Sequence, residues 1–93
     1  MLRMTKNLLM EMLERQEFRC AISGRDLTPE TASIDHIMPL ARGGAHCPTN
    51  AQIVHVDINQ AKRNMTNEEF VQMCCEVAEV AQGDGVGGLR AAN

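Results

Sequence analysis

The sequence predicts an α+β protein whose core is a β-hairpin and the helix after it, flanked by an N-terminal and a C-terminal helix. Three observations predict it. Apolar residues recur at helical spacing near both ends, as Leu8, Leu9, Met12 and Leu13 and again as Phe70, Met73, Cys74, Val77 and Ala81. Two short alternating runs, 33–38 and 51–56, lie between them. The stretch joining those runs carries Gly43-Gly44 and Pro48, the chemistry of a loop.

Each element has its own warrant. Thr5 can cap the first helix, which presents Glu11, Glu14 and Arg15 opposite its apolar stripe and should end near residues 16–19. Ser23-Gly24 and Thr28-Pro29-Glu30 are turn sequences, the second able to open a helical turn with Pro at its first position. In the strand 33–38, Ile34 and His36 share one face and Asp35 and Ile37 the other, and Pro39 stops it. After the loop 41–50 and the strand 51–56, Asp57 is a plausible N-cap for a short helix reaching about Asn64. Thr66-Asn67-Glu68-Glu69 is a capping box for the last helix. A single domain over 1–82 with its core in 20–64 is expected, followed by a flexible Gly-rich tail, 83–93.

Composition narrows the function. With two aromatics in the chain, Phe18 and Phe70, the core must be aliphatic and sulfur-rich, and base stacking of the single-strand and RNA-binding kind has almost nothing to work with. A net charge of −3 opposes phosphate binding, but the acids are peripheral. Glu11, Glu14, Glu17, Glu68, Glu69, Glu76 and Glu79 fall in the flanking helices, whereas 35–63 holds Asp35 and Asp57 against Arg42, Lys62 and Arg63. No apolar run approaches membrane-helix length and the start lacks a signal-peptide core, so a cytoplasmic protein with reduced cysteines is expected. Cys74 and Cys75 are read as packing residues.

A hairpin whose second strand feeds a helix can bring one residue from each element to a point. Asp35 and His36 on the first strand, Asn50 at the end of the loop and Asn59 in the first turn of the short helix are the residues so placed. A hard divalent cation wants oxygen ligands, which Asp35 and the Asn59 amide supply. A neutral imidazole, with an ordinary pKa of about 6.5, can take a proton from an attacking water.

Asp35-His36-Ile37-Met38-Pro39-Leu40, Gly43-Gly44, Asn50 and Asn59 followed by Lys62 resemble the HNH endonucleases of the ββα-metal fold. Asn50 lies 14 positions after His36, and Asn59 nine after Asn50, as in that family. The likeness extends to the HNH domains of CRISPR effector nucleases and of small phage and bacterial nicking enzymes. The third motif position is Asn instead of His, a common variant. The resemblance covers 20–63. It implies that His36 is the general base, that Asp35 and Asn59 bind Mg²⁺ or Mn²⁺, and that Asn50 braces the loop and His36. Lys62, one turn beyond Asn59, is placed on a DNA phosphate, with Arg42 and Arg63 as further DNA-binding candidates.

Many family members also hold a structural zinc with two Cys-x-x-Cys pairs. The corresponding stretches are Cys20-Ala21-Ile22-Ser23 and His55-Val56-Asp57-Ile58, which offer Cys20 and His55 but replace the other two ligands. A zinc-free form is expected, with Ile58 packing where the metal would sit. His46 is read as an exposed loop residue, and His55 as either packing or a vestigial ligand.

The activity implied is one-metal hydrolysis of a DNA phosphodiester by a bacterial or phage-encoded enzyme, leaving 5′-phosphate and 3′-hydroxyl ends. One site per chain should nick one strand, with the rate falling below about pH 6 as His36 becomes protonated. The chain is expected to act as a monomer or weak homodimer on double-stranded DNA with little sequence specificity, a partner protein supplying any that exists. Two other classes compete: a DNA-binding module that kept the fold without catalysis, and a structural or protein-interaction domain. The intact Asp35, His36, Asn50 and Asn59 set weighs against the first, and the broken zinc pairs against the second.

Overall fold

The structure, a computed structural model, describes residues 5–83. The order is α1 (Lys6–Arg15), β1 (Ala32–His36), β2 (Ala51–His55), α2 (Val56–Lys62) and α3 (Asn67–Gln82), with single 3-10 turns at Leu40–Arg42 and Pro48–Asn50. The fold is the expected α+β arrangement of helices around a hairpin and the helix that follows it.

Thr5 caps α1 through its side chain, which accepts from Leu8 N. The helix ends at Arg15, because Glu17 and Phe18 take positive φ values of 55° and 57° and turn the chain back. That reversal leaves Phe18 45% exposed, so the aromatic anchor of the core is Phe70 alone. Thr28 and Thr31 close a hydrogen-bonded turn with no helix.

β1 and β2 pair antiparallel with Ala32 opposite His55, Asp35 opposite Gln52 and His36 opposite Ala51. Directly opposed residues share a face. One face carries Ser33, Asp35, Gln52 and Val54; the other carries Ile34, His36 and Ile53. Both faces of β2 are covered, since Ile53 and Val54 are buried with Met12, Cys20 and Leu27, and Leu8, Leu9, Leu13 and Ile58 pack around them. Gln16 holds α1 to β2, its amide donating to Ile53 O at 2.8 Å and accepting from Ile53 N at 3.1 Å.

Three local expectations are corrected. His55, not Asp57, is the N-cap of α2: its Nδ1 accepts from Asp57 N at 3.1 Å, so the helix begins at Val56. The capping box of α3 forms between Thr66 and Glu69, but only Phe70 of the expected apolar stripe is buried. From Val71 to Gln82 every residue is exposed, Val77 at 63% and Val80 at 64%, and Cys74 and Cys75 are exposed with them instead of packed. The expected tail lies, from Asp84 onward, outside the described residues.

Candidate active site

The loop between the strands is built to bring its two ends together. Pro39 O accepts from both Arg42 N and Gly44 N, winding one 3-10 turn after β1. Gly43 closes that turn at φ 94°, a conformation glycine adopts without strain. Gly44 is needed for space: a Cβ there would lie 1.8 Å from Met38 O and 2.8 Å from Asn50 Nδ2. Asn50 then clamps the approach. Its Oδ1 accepts from Met38 N at 2.8 Å, and its Nδ2 donates to Met38 O at 3.0 Å and to Ala45 O at 2.8 Å.

β1 delivers Asp35 and His36 to the mouth of this loop, and α2 brings Asn59 over the Asp35 face. Asn59 Nδ2 donates to Ser33 Oγ at 2.6 Å and to Ile34 O at 3.3 Å. Asp35, His36 and Asn59 line one cavity of about 400 Å³ with Pro39, Leu40 and Arg63. The residues singled out in the sequence as base and metal ligands are therefore brought together. Asn50 is not on that cavity; it acts on the loop.

Asp35 is 4% exposed and held from two elements. Lys62 Nζ of α2 donates to its Oδ2 at 2.6 Å, and Gln52 Nε2 of β2 donates to the same oxygen at 2.8 Å. Gln52 is fixed in turn by Asn67 at the start of α3, Nε2 to Oδ1 at 2.9 Å. Lys62 also donates to His36 O at 3.2 Å, pinning the end of β1.

Lys62 is therefore corrected from its expected place on a DNA phosphate. It is fully buried, and its charge is spent on Asp35. An ammonium out of water is tolerated only with such a partner. Arg42 is turned toward α3, paired with Glu69 and donating to Asn64 O at 3.4 Å. Its hydrogen bond and charge contact with Glu69 raise the guanidinium pKa further above its ordinary value. Arg63 is exposed, lines the cavity and makes no ion pair among the described residues.

The donor set can be tested against a divalent cation. The hydrogen bonds of Asp35 use Oδ2 and those of Asn59 use Nδ2, which leaves Oδ1 of each as an acceptor for something else on their shared cavity. Two hard oxygens suit Mg²⁺ or Mn²⁺, with water and phosphate completing the shell. No group of three or more His, Cys, Asp or Glu able to hold a metal occurs among the described residues.

At the opposite end of α2, the two remaining zinc-type residues are otherwise employed. Cys20 Sγ accepts from Ser23 N at 3.4 Å. Burial works against its thiolate, but hydrogen bonds from Ser23 and from the His55 and Ile22 backbone outweigh it and lower the thiol pKa below 9.0. His55 Nδ1 serves as the α2 cap, and Ile58 packs against the cluster that contains Cys20.

Three residues of the site escaped the sequence reading. Gln52 and Asn67 brace Asp35, and His46 lies against His36, its Nδ1 2.8 Å from His36 Nε2. Gln52 was hidden by register. The run 51–56 marks a strand, but a long loop does not say which residue opposes Asp35.

A hairpin and helix thus bring a carboxylate, an imidazole and an amide onto one open cavity. Residues 20–67 match the family model of the HNH endonucleases, and the chain belongs to that family. No curated protein gives a significant match to it. The match begins at Cys20 and ends at Asn67, the residue that ties α3 to Gln52. No helix of the described residues is long and apolar enough to cross a membrane.

Proposed function

We propose that this chain is a divalent-metal-dependent DNA endonuclease that nicks one strand, with His36 as general base and Asp35 and Asn59 as the protein ligands of Mg²⁺ or Mn²⁺. The convergence of Asp35, His36 and Asn59 on one open cavity carries this reading. His36 takes a proton from a water aligned with the scissile phosphorus. The new bond forms from that water oxygen to phosphorus as the bond to the 3′ oxygen breaks. The proton count closes when the 3′ oxygen takes up a proton, leaving 5′-phosphate and 3′-hydroxyl ends. A cation at Oδ1 of Asp35 and Asn59 would supply charge stabilisation at the phosphate and the leaving oxygen.

The Lys62 contact has a consequence for that carboxylate. It fixes Oδ2 and directs Oδ1 elsewhere, while offsetting the charge a cation would meet. Metal binding should accordingly be weak without DNA and tighten when a phosphate joins the shell. Arg63, exposed at the cavity edge, is the side chain best placed to meet a flanking phosphate. The Cys20 end of the domain is read as zinc-free, with Ile58 packed against the core cluster that contains Cys20.

Relaxation of supercoiled plasmid in Mg²⁺ or Mn²⁺ tests the proposal. Nicked circles should form with the wild-type chain and vanish with His36→Ala or EDTA. DNA binding with no nicking in either metal would instead identify a binding module.

A further inference from the structure

His46 is the one imidazole that the proposed reaction leaves without a task yet places against its base. It stands on the loop that Gly44 and Asn50 lock, directly after Ala45, whose carbonyl oxygen accepts from Asn50 Nδ2. The two rings meet edge to edge and do not stack: the centroids are 5.0 Å apart, the planes are inclined at 52°, and His36 Nε2 lies 2.8 Å from His46 Nδ1.

Two neutral imidazoles share one proton across such a contact, and the two possible directions differ in consequence. If His46 Nδ1–H donates, His36 carries its own proton on Nδ1 and has no free lone pair. If His36 Nε2–H donates, the Nδ1 lone pair of His36 is free and His46 carries its proton on Nε2, toward solvent. Only the second arrangement leaves a base.

We propose that His46 is a positioning residue for His36: its Nδ1 accepts the His36 Nε2 proton, which fixes the tautomer and orientation that make His36 Nδ1 the proton acceptor. This rests on the reading of His36 as general base. The contact also strengthens during the reaction. Once His36 Nδ1 has taken the proton from water, the ring is a cation, and its Nε2–H bond to neutral His46 becomes charge-assisted. The benefit appears in the transition state, so it belongs to kcat and not to KM. It also gives the Asn50 clamp a route to the base, through Ala45 and His46.

The expected result in single-turnover nicking is a fall of about 10- to 100-fold in kcat for His46→Ala, the range typical when a partner that orients a functional imidazole is removed, with KM nearly unchanged. His46→Asn, whose Oδ1 can accept at about the place of the lost Nδ1, should restore most of that loss. Nitrogen NMR of the wild-type chain without metal or DNA should show a scalar coupling across the hydrogen bond between His36 Nε2 and His46 Nδ1, with His36 Nδ1 unprotonated. Wild-type rates in His46→Ala, equal losses in the Ala and Asn variants, or a proton on His36 Nδ1 would each overturn the proposal. The parent reading fails separately, when the wild-type chain itself does not nick or when His36→Ala nicks as well as wild type.

Discussion

The two helices after the hairpin differ in a way that local sequence does not announce. α3 has sixteen residues and a complete capping box, whereas α2 has seven and is capped by a histidine. A seven-residue helix has little standing alone, because nucleation is costly and there are few turns to repay it. Yet α2 carries Asn59 and Lys62 into the hairpin, and every residue of α3 beyond Phe70 is exposed. The site is built on the helix with the weaker local tendency and the denser contacts. Those contacts are charged and polar, so α2 should be intolerant of change and the distal half of α3 should not.

The largest effect expected is at Lys62. Lys62→Met leaves the Asp35 carboxylate buried and unpaired, which should destabilise the fold by about 3–5 kcal/mol in urea unfolding, much of the margin of a small domain. Pairing that change with Asp35→Asn should recover part of the loss, and an absence of recovery would show that Lys62 matters through packing alone. Next comes Gly44→Ala, whose methyl group meets the Met38 carbonyl. It should cost about 1–3 kcal/mol and, by shifting His46, lower nicking more than it lowers the melting temperature would suggest. Far along α3, Val77→Glu or Val80→Glu should change stability by no more than about 0.5 kcal/mol. A larger loss would mean that this face is covered in solution.

The smallest effect concerns Glu69, which ties α3 to the loop through Arg42. The hydrogen bond from Arg42, then that from the Thr66 backbone, holds its carboxyl below 4.5. A carboxyl lowered in the folded state contributes stability above its ordinary pKa and loses it as the pH falls through the folded value. Carbon NMR titration of Glu69 should therefore give a midpoint below 4.5 that rises in Arg42→Ala. An unmoved midpoint would assign the shift to the capping box instead.

The comparison also separates what could be read early from what could not. Thr5, Thr66 and the diglycine act within a few residues of themselves, and the expected caps and turn are present. The Asp35–His36, Asn50 and Asn59 spacing was legible because a hairpin running into a helix leaves few ways to arrange it. His55 was missed as a cap because Asp57 is the commoner capping type two positions on. His46 is exposed, as expected, but its contact with His36 gave no signal, since nothing local in a polar loop names the neighbour a histidine will meet.

By itself the amino-acid sequence determined the order of elements, the hairpin–helix core and the residues around which a catalytic centre could assemble, because periodicity, caps and turns are local properties. Tertiary structure decided which faces were used. Lys62 follows Asn59 by one turn on a shared face, and that face looks inward to a carboxylate 27 positions back along the chain. The stripe on α3 has the same helical regularity and, beyond Phe70, meets solvent. Spacing states which side chains travel together; whether they reach water, DNA or a buried counter-charge depends on what the fold sets opposite them.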